Sequence, residues 1–139
     1  GPHTEVMVKW LDRIDQGTAP SSFGDGAQTM DFVYIDDVVR ANLAALESDV
    51  THDVFNVGTG DETSLRDLAE LLLRLTGSRL QPEFREARQV NHVPRRFASV
   101  THAQDILKFS AQVSLAEGLK RLIDWRARIK EQASSFATR

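Results

Sequence analysis

The sequence contains no cysteine. That excludes disulfides and thiolate metal sites and reads as a protein of the reducing cytoplasm. Tyrosine is almost missing as well, Tyr34 being the only one. No apolar run approaches the roughly 20 residues that a membrane span needs, so neither a membrane segment nor a secretory leader is expected. A basic excess is also lacking: 17 Lys+Arg against 20 Asp+Glu leave a formal charge of −3. This balance disfavours nucleic acid or an anionic membrane as the main partner. The four histidines, His3, His52, His92 and His102, show no ligand spacing and no accompanying carboxylate pattern, so no metal site is expected.

What is present suits one globular domain. The chain has 139 residues, of which 41% are apolar, enough for a real core. Gly1-Pro2-His3 reads as a cloning remnant, residues 4–132 as the domain, and residues 133–139 as a frayed tail.

The chain is organised around Phe23 to Val39, FGDGAQTMDFVYIDDVV. Gly24-Asp25-Gly26 tolerates positive φ and predicts a tight turn. Asp31 to Ile35 is β-branched and aromatic, which predicts a strand. Asp36 then suits an N-cap and Asp37 the first turn of a helix beginning near Val38 and running to about Glu47. Turn, strand and capped helix make a βα corner, the unit from which parallel sheets are built.

Before this corner, Met7, Trp10, Leu11 and Ile14 share one helical stripe over Glu5 to Gln16, which Gly17 ends. After it, Asp53 to Val57 predicts a second strand, followed by a Gly58-Thr59-Gly60 turn. Ser64 and Asp67 approximate a capping box for a helix carrying Leu65, Leu68, Leu72 and Leu75, which stops at Gly77. Glu83-Phe84-Arg85 predicts a third, short strand, and residues 86–96 a loop. Thr101 is placed to cap a short helix through Leu107. Ser114 with Glu117 opens the last helix, with Leu115, Leu119, Leu122, Ile123 and Ile129 on one side. The expected class is therefore α/β: a small parallel β-α-β-α-β core, with right-handed crossovers and flanking N- and C-terminal helices.

Three ordered motifs carry a resemblance. The GDG-x-Q turn runs into Met30-Asp31-Phe32 and Asp36-Asp37. Asn56-Val57-Gly58-Thr59-Gly60 is followed by Thr63-Ser64-Leu65. Ser114-Leu115-Ala116-Glu117-Gly118-Leu119 precedes Trp125. Together they resemble the C-terminal, substrate-binding part of extended short-chain dehydrogenase/reductases, the NAD-dependent sugar-nucleotide epimerases and dehydratases. The resemblance implies a fragment of a Rossmann-type two-domain enzyme. Its parent would oxidise a sugar at C4 by hydride transfer to NAD, then rearrange and re-reduce it. The family's catalytic pair is Tyr-x-x-x-Lys, but Val38 stands four positions after Tyr34. Gly58 and Gly60 begin a G-x-G-x-x-G whose last position is Thr63, so neither a catalytic pair nor a cofactor fingerprint is found. NAD is expected in the full-length parent and no cofactor in this fragment.

The remaining chemistry is anion binding. Arg79, Arg85, Arg88, Arg95 and Arg96 face only Glu83 and Glu86 in that stretch, and arginine matches phosphate oxygens bidentately. The resemblance implies that an arginine before the last extended segment grips the nucleotide diphosphate. Arg96 is the first choice, with Arg95 and Arg88 beside it. It further implies that the nucleobase packs on the segment entering the GDG turn, at Ser21 and Phe23. Two family features differ: Met30 stands where a second phosphate-binding arginine is usual, and Ser99 where an aspartate is frequent. The expected partners are a nucleoside-diphosphate sugar, a missing N-terminal Rossmann domain and further copies of the chain. The alternative is a non-catalytic sugar-nucleotide-binding or dimerisation module.

Overall fold

The computed structural model describes residues 4–85, 95–96 and 99–137. Helix α1 (Thr4–Asp15) leads into strand β1 (Ser21–Phe23), and the GDG turn joins it to β2 (Thr29–Met30). Helix α2 (Ile35–Glu47), strand β3 (Thr63–Ser64), helix α3 (Leu65–Leu75) and strand β4 (Glu83–Arg85) follow. Strand β5 (Arg95–Arg96) and helices α4 (Thr101–Leu107) and α5 (Leu115–Ala137) complete the order.

The strands form two small sheets. In one, β1 and β4 pair in parallel, Ser22 opposite Phe84. In the other, β2 is central, antiparallel to β3 and parallel to β5. The class is α/β as the sequence implies, and the order β2-α2-β3-α3-β4 keeps the expected alternation.

Two predicted strands are corrected. Residues 31–34 and 53–57 form no ladder among the described residues. The strands nearest them, β2 and β3, lie just before the first stretch and after the second, and they pair antiparallel rather than in parallel. A ladder needs a neighbour with free N–H and C=O groups, which composition alone cannot guarantee. These two stretches are held by side chains instead. Phe32 packs on the main core and Phe55 and Val57 on a smaller one, while Val54 is 82% exposed.

The main core joins α1, α3 and α5 through Trp10, Leu11, Leu65, Leu68, Ala69, Leu72 and Leu119, all buried. The periodicity of Leu65, Leu68 and Leu72 puts them on one face of α3, and burying each leucine contributes roughly 1.5–3 kcal/mol. Ser64 caps α3 as expected, its hydroxyl accepting from Asp67 N at 3.0 Å. Gly77 ends the helix at φ +70°. At the other end of the chain, α5 is docked on α1 by charge. Arg126 donates to Asp12 at 2.8 Å and to Asp15 at 3.0 Å, and Lys130 also pairs with Asp15. These bonds hold the Asp15 carboxyl below its usual pKa, Lys130 contributing most.

Two caps differ from expectation. Helix α2 starts at Ile35 with Tyr34 as its N-cap, because the Tyr34 carbonyl already accepts from Asp37 N and Val38 N. Asp36 therefore lies in the first turn rather than at the cap. Helix α4 is entered from Val100, without a side-chain cap from Thr101. Ser114 does receive Glu117 N at 3.2 Å. Helix α5 continues to Ala137, through residues where an end-frayed tail is expected.

Candidate functional site

The corner between β1 and β2 positions the candidate residues. Gly26 has φ +75°, and a Cβ there would meet Phe84 Cε1 at 2.6 Å. Only glycine allows the turn to lie so close to the ring. The start of α3 holds the same turn in place: Arg66 N donates to the Gly26 carbonyl at 3.1 Å and Leu65 N to the Gln28 carbonyl at 2.9 Å. The Arg66 guanidinium reaches the Asp25 carbonyl at 2.8 Å and lies 4.3 Å from the Phe84 ring centroid.

On this frame the sequence candidates fall in neighbouring strands. Ser21 and Phe23 belong to β1, paired with Glu83 and Arg85 of β4. The Ser21 carbonyl is taken by Trp10 Nε1 at 3.0 Å, so this segment is fixed to the core. Arg95 and Arg96 form β5, in register with Thr29 and Met30 of β2. The backbone thus brings the arginine pair beside the position where the resembled family has its second arginine. Arg88 lies outside the described residues.

Three residues to which the sequence reading gave no bonding role across the fold organise the surroundings. Asp31 clasps the Gly58-Thr59-Gly60 turn. It accepts from Thr59 N at 3.0 Å, Thr59 Oγ1 at 2.5 Å and Gly60 N at 2.8 Å. Asp37 is 1% exposed, and its carboxylate accepts from Arg40 at 2.6 Å, Gln112 N at 3.1 Å and Val113 N at 3.0 Å. Burial alone would raise the Asp37 pKa. The bonds from Arg40, Val113 and Gln112 outweigh it and hold the carboxyl below the usual range. Arg66 is the third. The available signal was an aspartate at each end of one apolar run, with short turns elsewhere whose N–H groups lack helix partners.

Between these clasps lie two open spaces. A polar one of about 350 Å³ is lined by Phe32, Thr59, Asp61, Thr63, Gln112 and Ser114, among others. An apolar one of about 260 Å³ runs along Phe32 to Ile35 beneath Leu115 and Gly118. Among the described residues, no group of three or more His, Cys, Asp and Glu is placed to hold a metal ion.

The same frame recurs in known proteins. Residues 1–58 match the model of the NAD dependent epimerase/dehydratase family. The UDP-glucose 4-epimerase of Mycolicibacterium smegmatis is 35% identical over 126 residues, which are 89% of this chain and 40% of that protein. The chain belongs to the NAD-dependent epimerase/dehydratase family. Among solved structures, the Thermotoga maritima UDP-glucose 4-epimerase with UDP-glucose superposes with a TM-score of 0.81 at 36% identity. The match covers 89% of this chain and 40% of that one. The UDP-glucuronic acid 4-epimerase from Bacillus cereus, in complex with UDP-glucuronic acid and NAD, gives 0.76 at 29% identity, over 86% of this chain and 38% of that one. The family member described here therefore spans about two fifths of the length of these relatives.

Proposed function

We propose that this chain is the nucleotide-sugar-binding portion of an NAD-dependent epimerase/dehydratase of the cytoplasm, and that it grips the substrate diphosphate through Arg96. The observation that carries this reading is the parallel ladder between β2 and β5. Its register sets Arg96 opposite Met30, one strand from the GDG corner that fixes Ser21 and Phe23. A guanidinium at that edge offers paired N–H donors to phosphate oxygens, with Arg95 and Arg88 supplying further positive charge. The base would lie against Ser21 and Phe23. That relatives are solved with UDP-glucose and UDP-glucuronic acid supports the ligand class.

The redox step belongs, in this reading, to a preceding portion that carries the NAD site and the catalytic Tyr-Lys pair. Two features support the division. Tyr34 has no lysine partner at the required spacing. The Thr59 and Gly60 N–H groups, which a pyrophosphate would need, already donate to Asp31. The preceding portion would pack on α2, whose Ile35, Val39, Leu43 and Leu46 form an exposed apolar stripe, and beside the ladder-free stretch at Val54.

Calorimetric titration of the chain tests the reading. UDP-glucose and UDP are expected to bind and NAD to give no heat. Arg96→Ala should weaken UDP by roughly 1.5–3 kcal/mol, the usual range for a charge-assisted hydrogen bond. A folded chain that ignores UDP, or an Arg96→Ala variant with unchanged affinity, would overturn the assignment.

A further inference from the structure

The polar cavity of about 350 Å³ is walled by Phe32, Thr59, Asp61, Thr63, Gln112 and Ser114, among others. Its polar groups differ in what they still have to offer. The Thr59 hydroxyl is spent, since it donates to Asp31 and accepts from Asp61 N at 3.0 Å. The Ser114 hydroxyl accepts from Glu117 N and keeps its own proton to donate. Among the described residues, the Asp61 carboxylate, the Thr63 hydroxyl and the Gln112 amide enter no hydrogen bond or ion pair. Phe32, half-buried against the main core, supplies an aromatic wall.

This set suits a ring of hydroxyls better than an ion. A carboxylate takes two O–H donors, a glutamine amide gives two N–H groups and accepts through its oxygen, and hydroxyls do both. A pyranose presents O–H groups around its edge and C–H groups on its faces, and the latter can rest on an aromatic ring. The cavity also lies within reach of the proposed diphosphate grip. Thr63, Met30 and Arg96 share one rung of the three-stranded sheet. Thr63 and Arg96 therefore stand two strand spacings apart, roughly 10 Å. A phosphate and one sugar ring bridge such a distance.

Charge decides which sugar. Among the described residues that line the cavity, Asp61 is the one ionisable group. A sugar carboxylate there would face a like charge with no cation to offset it. The start of α5 favours an anion, but Glu117 already occupies its first turn. We propose, on the reading that Arg96 grips the diphosphate, that this cavity takes the sugar of the nucleotide-sugar and selects a neutral hexose over a hexuronate. Asp61 and Gln112 are the discriminating residues.

Titration calorimetry with three ligands separates this inference from the reading on which it rests. UDP alone reports the diphosphate grip, and the affinity ratio of UDP-glucose to UDP reports the cavity. UDP-glucose should bind more tightly than UDP, and UDP-glucuronate no more tightly than UDP. Asp61→Asn should lower the UDP-glucose to UDP ratio by roughly tenfold, the loss of a hydrogen bond to a charged group. Asp61→Arg should reverse the order of the two sugars. Gln112→Ala keeps the N–H that Asp37 holds and should lower the same ratio. Amide NMR shifts on adding glucose 1-phosphate read the cavity directly, whether or not UDP binds: Asp61, Thr63 and Gln112 should move. Any of four results would overturn the inference: UDP-glucose no tighter than UDP, equal binding of the two sugars, an Asp61→Arg effect of the same factor on all three ligands, or no shift at these amides.

Discussion

Replacing Asp37 by alanine removes an anion on which three donors from two segments of the chain converge. The carboxylate is 1% exposed and holds Arg40 of its own helix together with the N–H groups of Gln112 and Val113, which lead into α5. The substitution leaves two backbone donors and one guanidinium without their acceptor. Losing a hydrogen bond to a charged group costs roughly 1.5–3 kcal/mol, and an orphaned buried donor roughly 1–3. The Arg40 side chain is 38% exposed and recovers water, so its share is small. Allowing for non-additivity among the three bonds, the expected loss is about 3 kcal/mol. That corresponds to a melting temperature lower by roughly 10 °C for a domain of this size.

The pH dependence has a fixed sign. Because the folded-state pKa lies below the ordinary carboxylate value, the stabilisation is fully present above the unfolded pKa. It fades as the pH falls toward the folded one. Urea unfolding followed by Trp10 fluorescence, at pH 7 and again near pH 3, gives both numbers. A variant within about 0.5 kcal/mol of the parent at pH 7 lies in the range of an ordinary surface change and would refute the reasoning. So would a gap that widens on acidification.

Asp31→Ala should cost about 2 kcal/mol, because three donors of the Thr59–Gly60 turn lose their acceptor. Amide hydrogen exchange should then quicken at Thr59 and Gly60 well before the core. Gly26→Ala should destabilise more than a loop glycine ordinarily does. It adds a left-handed penalty of roughly 1–2 kcal/mol to a clash with the Phe84 ring. Calorimetric melting of Gly26→Ala and of the equally left-handed Gly24→Ala, where a Cβ meets open space, separates the two contributions.

The helices were legible in the sequence because each carries its own period. The leucines of α3 and the stripe of α1 predict buried faces that the core confirms. Ser64 and Ser114 act within one turn of their partners, so their caps could be read as well. The strands were less legible. Phe32 to Ile35 and Val54 to Val57 have strand composition, but a strand exists only with a neighbour, and composition does not say whether one is there. Asp37 illustrates the same boundary. Its first-turn position invited a dipole argument, yet besides Arg40 it holds Gln112 and Val113, more than seventy positions away. Arg95 and Arg96 were read as a loop pair, and the β2–β5 register is what gives them a defined neighbour in Met30.

The ion pairs between α1 and α5 carry a consequence for synthesis. Asp12 leaves the ribosome 114 residues ahead of Arg126, whatever precedes it. At about 5–20 residues per second, that is a wait of roughly 6–23 s. Throughout it Trp10 and Leu11, which end up 3% and 2% exposed, lack Leu119 and the braces of α5, and the leucines of α3 join them only from about the middle of that interval. Helix α1 is thus completed only when α5, the last helix of this chain, has been made. A nascent chain stalled before α3 presents the Trp10–Leu11 face of α1 to whatever folding factor is nearest.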